Sequence, residues 1–169
     1  GPATNLSNTT GIGYNADVAE SNTMRFGNSS VIKWGFGRNV TSGVLQVGDD
    51  ATNGNGAYLS AAGTWVNVSD FNKKENIVAI EGSTLLNKLM ELPINRWSYK
   101  GEAGVTHIGP MAQDFYRIFK VGDNDKAIST IDPAGIALAA IQEQQRIILK
   151  QQQLIEQLTK RIEKLEAHH

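Results

Sequence analysis

Apolar positions fall into three regimes along the chain. From residue 3 to about 66 they form short islands: Thr10-Gly11-Ile12-Gly13-Tyr14, Met24-Arg25-Phe26-Gly27, Val31-Ile32-Lys33-Trp34-Gly35-Phe36-Gly37 and Val44-Leu45-Gln46-Val47-Gly48. Each is strand-length and closed by Gly, Asn or Asp, the punctuation of turns and bulges. This stretch holds 10 of the 17 glycines. Strands so short and glycine-broken cannot bury a core within one chain, so the segment is expected to gain stability by pairing or stacking with neighbouring subunits.

From Asn76 the spacing changes. Ile77, Ile80, Leu85, Leu86, Leu89, Met90 and Leu92 recur at roughly helical intervals until Pro93. Ile94 to Lys100 alternates like a strand, followed by a turn at Gly101–Gly104 and then His107-Ile108-Gly109. Ala112 to Phe119 predicts a short helix ending near Gly122, and Ile128-Ser129-Thr130-Ile131 a brief strand. Asp132-Pro133 then opens the last helix, with an acidic N-cap and proline in the first turn.

That last helix carries the clearest periodicity. Ile141, Ile148, Ile155 and Ile162 fall seven apart at a positions; Ala137, Gln144, Gln151, Leu158 and Leu165 fall at d. Four heptads with polar flanks predict a coiled coil. Isoleucine at a with leucine at d alone favours two strands; the Gln144 and Gln151 layers weaken that rule, because polar layers set register and oligomer number at a cost in stability. The expected organisation is α+β and elongated: a β-rich fibre segment over 3–66, a small mixed α/β region over 67–135 and a coiled coil over 136–167. Gly1-Pro2 and His168-His169 read as tag remnants, and the sequence as part of a longer chain.

Composition mostly excludes. A net charge of -1 recruits neither nucleic acid nor an anionic membrane surface. No apolar run is long enough to span a bilayer. The absence of cysteine removes disulfides and thiolate metal sites, and with two of three histidines at the C-terminus no metal or cofactor is expected. Gly11-Ile12-Gly13 and Gly35-Phe36-Gly37 lack the strand-to-helix setting of phosphate loops.

The seam between the first two regimes holds the candidate chemistry. Ser69 is followed five residues later by Lys74, in Val68-Ser69-Asp70-Phe71-Asn72-Lys73-Lys74-Glu75-Asn76-Ile77. A serine hydroxyl attacks well only when a neighbouring base takes its proton, and a lysine can do so only when neutral. Desolvation and a nearby like charge both favour the neutral amine, and Lys73 is a candidate for that charge. Five residues along a regular helix is about 500°, some 140° off the starting face, and on a strand it is the opposite face. The chain must therefore turn between the two residues, or Lys74 must reach Ser69 of another subunit. The plainer alternative is that Ser69-Asp70 caps a helix beginning near Phe71.

Together these residues resemble the intramolecular chaperone domain of phage tailspikes and endosialidases, classed as peptidase family S74 and also present in a membrane-bound transcription-factor family. The resemblance covers about Val68 to Ala167. It rests on Ser69-Asp70, Lys74 and Asn76-Ile77; on Trp97-Ser98-Tyr99-Lys100; on His107-Ile108-Gly109-Pro110-Met111-Ala112-Gln113-Asp114; and on Leu138-Ala139-Ala140-Ile141-Gln142. It implies a homotrimer whose C-terminal part assembles an upstream β-fibre of the same chain, then cuts itself off at the Val68–Ser69 bond, with Ser69 as nucleophile and Lys74 as general base. It also implies a place on a virion, as tail fibre or spike, or on a bacterial surface. One departure stands out: Asn72 occupies a position that is often Arg in the family; the chain is expected to be uncleaved, whether from Asn72, from a slow site or from arrest in a precursor state. Amides near Asp70 and the Asn76 side chain are candidate oxyanion donors. His107 is a candidate helper, and Gln113 is expected to fix its loop through a buried hydrogen bond.

The competing reading is a receptor- or glycan-binding fibre tip with a non-cleaving trimerisation domain. Trp34, Phe36, Tyr58 and Trp65 would stack on sugars, although aromatics on short strands more often form inter-chain core. A hydrolase acting on an outside substrate has only scattered carboxylates such as Glu81 and Glu91 behind it.

Overall fold

A computed structural model describes residues 5–167; the residue pairs read as tag remnants lie outside that range, as do residues 3 and 4 of the fibre segment. The chain divides into two compact units, one ending at Ile77 and the other beginning at Val78.

The first unit is built of six very short strands. β1 (Thr10–Ile12) pairs in parallel with β2 (Met24–Phe26). β3 (Trp34–Phe36) pairs in parallel with β4 (Leu45–Val47), and β5 (Tyr58–Leu59) and β6 (Trp65–Val66) continue that sheet antiparallel. The four apolar islands each hold one strand, and β5 and β6 add a hairpin that the islands do not include. Parallel neighbours normally need a connection of about a dozen residues or more. Here Thr10 lies beside Met24 and Trp34 beside Leu45, so the backbone closes tight arcs that need left-handed positions, among them Gly13 (φ 98°) and Gly43 (φ 69°).

Polar side chains, not an apolar core, hold these arcs. Gln46 is 4% exposed; its Oε1 accepts from Thr41 N at 3.0 Å and Ser42 N at 3.3 Å, and its Nε2 donates to the Gly56 carbonyl at 3.3 Å. Arg25 donates to the carbonyls of Gly27 and Asp17 at 3.0 and 2.7 Å. Every residue of the buried core lies in the second unit, while Ile12, Met24, Phe26, Phe36 and Trp65 stand exposed. A single chain leaves this segment's apolar surface in water, which is unfavourable unless something covers it.

The second unit has a conventional core. α1 (Gly82–Met90) and the start of α3 (Ile131–Glu166) pack together, and α2 (Ala112–Phe119) contributes Phe115, Ile118 and Phe119. Leu85, Leu92, Ile136 and Ala140 complete the buried cluster. β7 (Asn95–Trp97) and β8 (His107–Gly109) form an antiparallel hairpin.

Two boundaries differ from expectation. The helical spacing from Ile77 is not used: Asn76 is left-handed at φ 53°, and α1 starts only after Glu81, whose carboxylate accepts from the amides of Ser83 and Thr84. Val78 and Ile80 are exposed and lie outside any helix or strand. Ile128–Ile131 forms no strand; Ile128 packs on the core, Thr130 rather than Asp132 is the N-cap, and Ile131 already begins α3. Pro133 fits there because its missing N–H falls among first-turn amides that have no helical acceptor.

α3 runs 36 residues, about 54 Å. Ile136 and Ala140 bury against the core, but Ile141, Ile148, Ile155, Leu158, Ile162 and Leu165 are exposed, as are Gln144 and Gln151. The residues facing the core and the heptad stripe thus occupy different faces of one helix.

Candidate active site

The chain leaves regular structure after β6, at Asn67. Asp70 then N-caps a single 3₁₀ turn, Phe71–Lys73, its Oδ1 accepting from Asn72 N at 2.9 Å. Lys73 N and Lys74 N close the turn onto the carbonyls of Asp70 and Phe71, each at 3.1 Å. A 3₁₀ turn advances about 120° per residue, and the extended residues on either side bring the two ends together. Lys74 Nζ donates to Ser69 Oγ at 2.6 Å. The capping arrangement and the serine–lysine contact therefore coexist, because the cap makes the turn that the five-residue spacing requires.

Val68 is half-buried, and Ser69, Asp70 and Lys74 are exposed. Asn72 Nδ2 also donates to Asp70 Oδ1, at 3.1 Å, so the residue at the family's frequent Arg position reinforces the cap. Asn76 is exposed and makes no side-chain hydrogen bond among the described residues. With the amides of Asn72, Lys73 and Lys74 engaged, the Asp70 N–H remains as a nearby main-chain donor.

Lys73, the candidate like charge beside Lys74, has its ammonium engaged elsewhere. Its Nζ donates to the Asp49 carbonyl at 2.8 Å and to Asn55 Oδ1 at 3.1 Å, in the loop between β4 and β5. Asp50 in that loop is held below the ordinary carboxylate range, first by its hydrogen bonds from Thr52 and in smaller part by Lys73. No sequence signal ties Lys73 to residues 18 and 24 positions earlier; the contact was not legible in advance.

His107 and Gln113 belong to the second unit. His107 stacks on Trp97 with centroids 4.6 Å apart and meets the edge of Tyr99 at 5.6 Å. Its Nε2 lies 3.6 Å from Glu102 Oε2, too long for a hydrogen bond, and neither it nor Trp97 Nε1 has a hydrogen-bond partner among the described residues. Gln113 is exposed and makes no side-chain hydrogen bond among the described residues, contrary to the expected buried contact. Phe115, Ile118 and Phe119 occupy the inward face of α2, and a residue two before Phe115 falls about 200° away. Among the described residues no group of three or more His, Asp or Glu side chains could hold a metal ion, and no helix is long and apolar enough to cross a membrane.

Residues 69–121 match the family model Peptidase_S74, chaperone of endosialidase. The match begins at Ser69 itself and takes in the 3₁₀ turn, α1, the hairpin and α2. Over that stretch the chain is similar to the S74 chaperone family, as the motif order suggested. No curated protein and no solved structure matches the chain.

Proposed function

We propose that residues 67–167 are an intramolecular chaperone that trimerises through α3 and brings three copies of the upstream β-rich segment into register. We further propose that Ser69 and Lys74 form a single-turnover dyad able to cut the chain at Val68–Ser69. The observation that carries the second part is the 2.6 Å contact between Lys74 Nζ and Ser69 Oγ at the first residue of the family match. Support for the first is the pairing of a coreless β segment with a helix whose heptad stripe is exposed. Parallel, non-local strand pairing is slow and prone to aggregation, and tethering three chains raises their local concentration. A phage tail fibre or spike, or a bacterial surface fibre, is the setting that fits such a client.

The reaction is an N→O acyl shift. Ser69 Oγ bonds to the Val68 carbonyl carbon while its proton passes to a neutral Lys74 amine, leaving a tetrahedral oxyanion. The C–N bond then breaks, the Ser69 nitrogen takes the proton back, and Val68 is held as an ester on Ser69 Oγ. Water hydrolyses that ester, giving a Val68 carboxylate and a free Ser69 N-terminus. The exposed Lys74 needs a drier surrounding to lose its proton readily, so burial of this seam by neighbouring chains would time the cut to assembly. Asn72 in place of the frequent Arg argues for a slow or silent site.

Intact mass, native and denatured, tests both parts against Ser69→Ala and Lys74→Ala. A native trimer whose denatured chains split between Val68 and Ser69, with both variants whole, is the expected result for an active dyad. A trimer that stays full-length in all three keeps the chaperone and leaves the pair a capping site. A monomer overturns the assembly reading. The exposed Phe36 and Trp65 favour a second reading, in which the β-rich segment binds a cell-surface glycan or receptor; retained ligand affinity without residues 69–167 would support it.

A further inference from the structure

The 3₁₀ turn that creates the serine–lysine contact has no buried residue, and Phe71 on it is exposed. Packing therefore does not hold it in place. Among the described residues, the only side-chain hydrogen bonds from residues 69–76 to the rest of the chain are the two that Lys73 Nζ makes, to Asp49 O and Asn55 Oδ1. The acceptors belong to the loop that joins β4 to β5. Asn53 Oδ1 accepts from Asp49 N and Asp50 N at 2.9 and 3.0 Å. Asp50 Oδ1 accepts from Thr52 N at 2.8 Å, and Asn55 N donates to Asp50 O at 2.7 Å. Asn55 itself is left-handed at φ 55°, a conformation an unfolded loop would rarely hold.

Building on the proposed dyad, we infer that Lys73 is a positioning residue: it aligns Lys74 with Ser69 only when the β4–β5 loop has folded, so the chain checks its fibre segment before it can cut. Lys73 touches neither reacting atom. It acts by fixing the turn whose far end carries Lys74, and through the loop it reports the state of the last sheet before the scissile bond.

The test uses the absence of cysteine from the chain, which makes Ser69→Cys a lone thiol at the nucleophile position. A nearby ammonium favours the reactive thiolate, so the iodoacetamide alkylation rate across pH, read by mass on the intact chain, reports how well Lys74 is aligned. The set is Ser69→Cys alone, with Lys73→Ala, with Lys74→Ala, with both, and with Lys73→Arg. Expected at pH 7 is a slowing of about tenfold for Lys74→Ala and about threefold to tenfold for Lys73→Ala. The double variant should be no slower than Lys74→Ala, and Lys73→Arg should stay within about twofold of the parent. If Lys73→Ala slows alkylation by the same factor with or without Lys74, its charge acts directly and the inference is overturned. An unchanged rate in Lys73→Ala while Lys74→Ala slows also overturns it. No effect of Lys74→Ala would instead remove the dyad reading beneath it.

Discussion

Gly82, in the first turn of α1, lies against Glu143 of α3: a Cβ built on Gly82 would stand 2.4 Å from Glu143 Oε2 and 2.8 Å from Glu143 Cβ. The carboxylate can swing away, but the Cβ moves only with the helix. Glu143 is further restrained by Arg146, which donates to its Oε2 at 2.9 Å. Gly82→Ala should therefore push the helices apart. Overpacking of this kind costs about 1–3 kcal/mol, against which alanine's better helix propensity returns at most about 1 kcal/mol. A net loss of about 1–2 kcal/mol in denaturant unfolding is expected, and an unchanged midpoint would mean the helices do not approach so closely.

Lys74→Arg separates holding the serine from deprotonating it. Arginine keeps a cationic donor for Ser69 Oγ but stays charged at any working pH, so it has no lone pair to accept the proton. Assembly should persist while any cleavage at Val68–Ser69 falls below detection by intact mass. Cleavage at the parent rate would exclude Lys74 as the base.

How much of this was legible depended on whether the signal was local. The islands around Ile12, Phe26, Phe36 and Val47 announce strands because glycine and asparagine close each one within a few residues. Tyr58–Leu59 and Trp65–Val66 are only two residues each, below the length at which alternation can be read. The need for a turn between Ser69 and Lys74 follows from spacing alone, and the Asp70 cap provides it. Apolar residues near Ile77 and Ile128 misled because β-branched residues suit extended or loop positions as well as periodic ones. What placed them was tertiary: the Glu81 cap in one case and packing of Ile128 on the core in the other. The Lys73 anchor needs two loop residues whose positions only the folded β4–β5 turn defines.

The heptad stripe offers a test that separates assembly from folding. Ile155 is 62% exposed in the single chain and lies well beyond the α1 contact, so Ile155→Asp should change the stability of an isolated subunit by no more than about 0.5 kcal/mol. In a coiled-coil seam the same carboxylate would be buried against its symmetry mates, which is strongly unfavourable. The expected result is a shift from trimer to monomer in light scattering, with helix content near α1 and α2 retained. A trimer that survives would place the subunit contacts elsewhere.

Glu81 predicts how the second unit responds to acid. Hydrogen bonds from Thr84 and then Ser83 lower its carboxyl from an ordinary 4.5 to about 2, since each bond favours the ionised form. Thr84 N lies 2.7 Å from Oε2 and Ser83 N 3.2 Å from Oε1, two amides at the start of α1 that have no helical acceptor. Because the folded chain binds this proton less readily than the unfolded one, the cap's contribution is fully present above about pH 4.5 and is lost as pH falls toward about 2. Glu81→Gln removes the charge while keeping one acceptor oxygen, which can serve only one of the two amides well. The variant should therefore melt below the parent at pH 7, and the gap should narrow through pH 4 and close near pH 2. A gap that stays constant over that range would show that Glu81 stabilises α1 by something other than its ionised carboxylate.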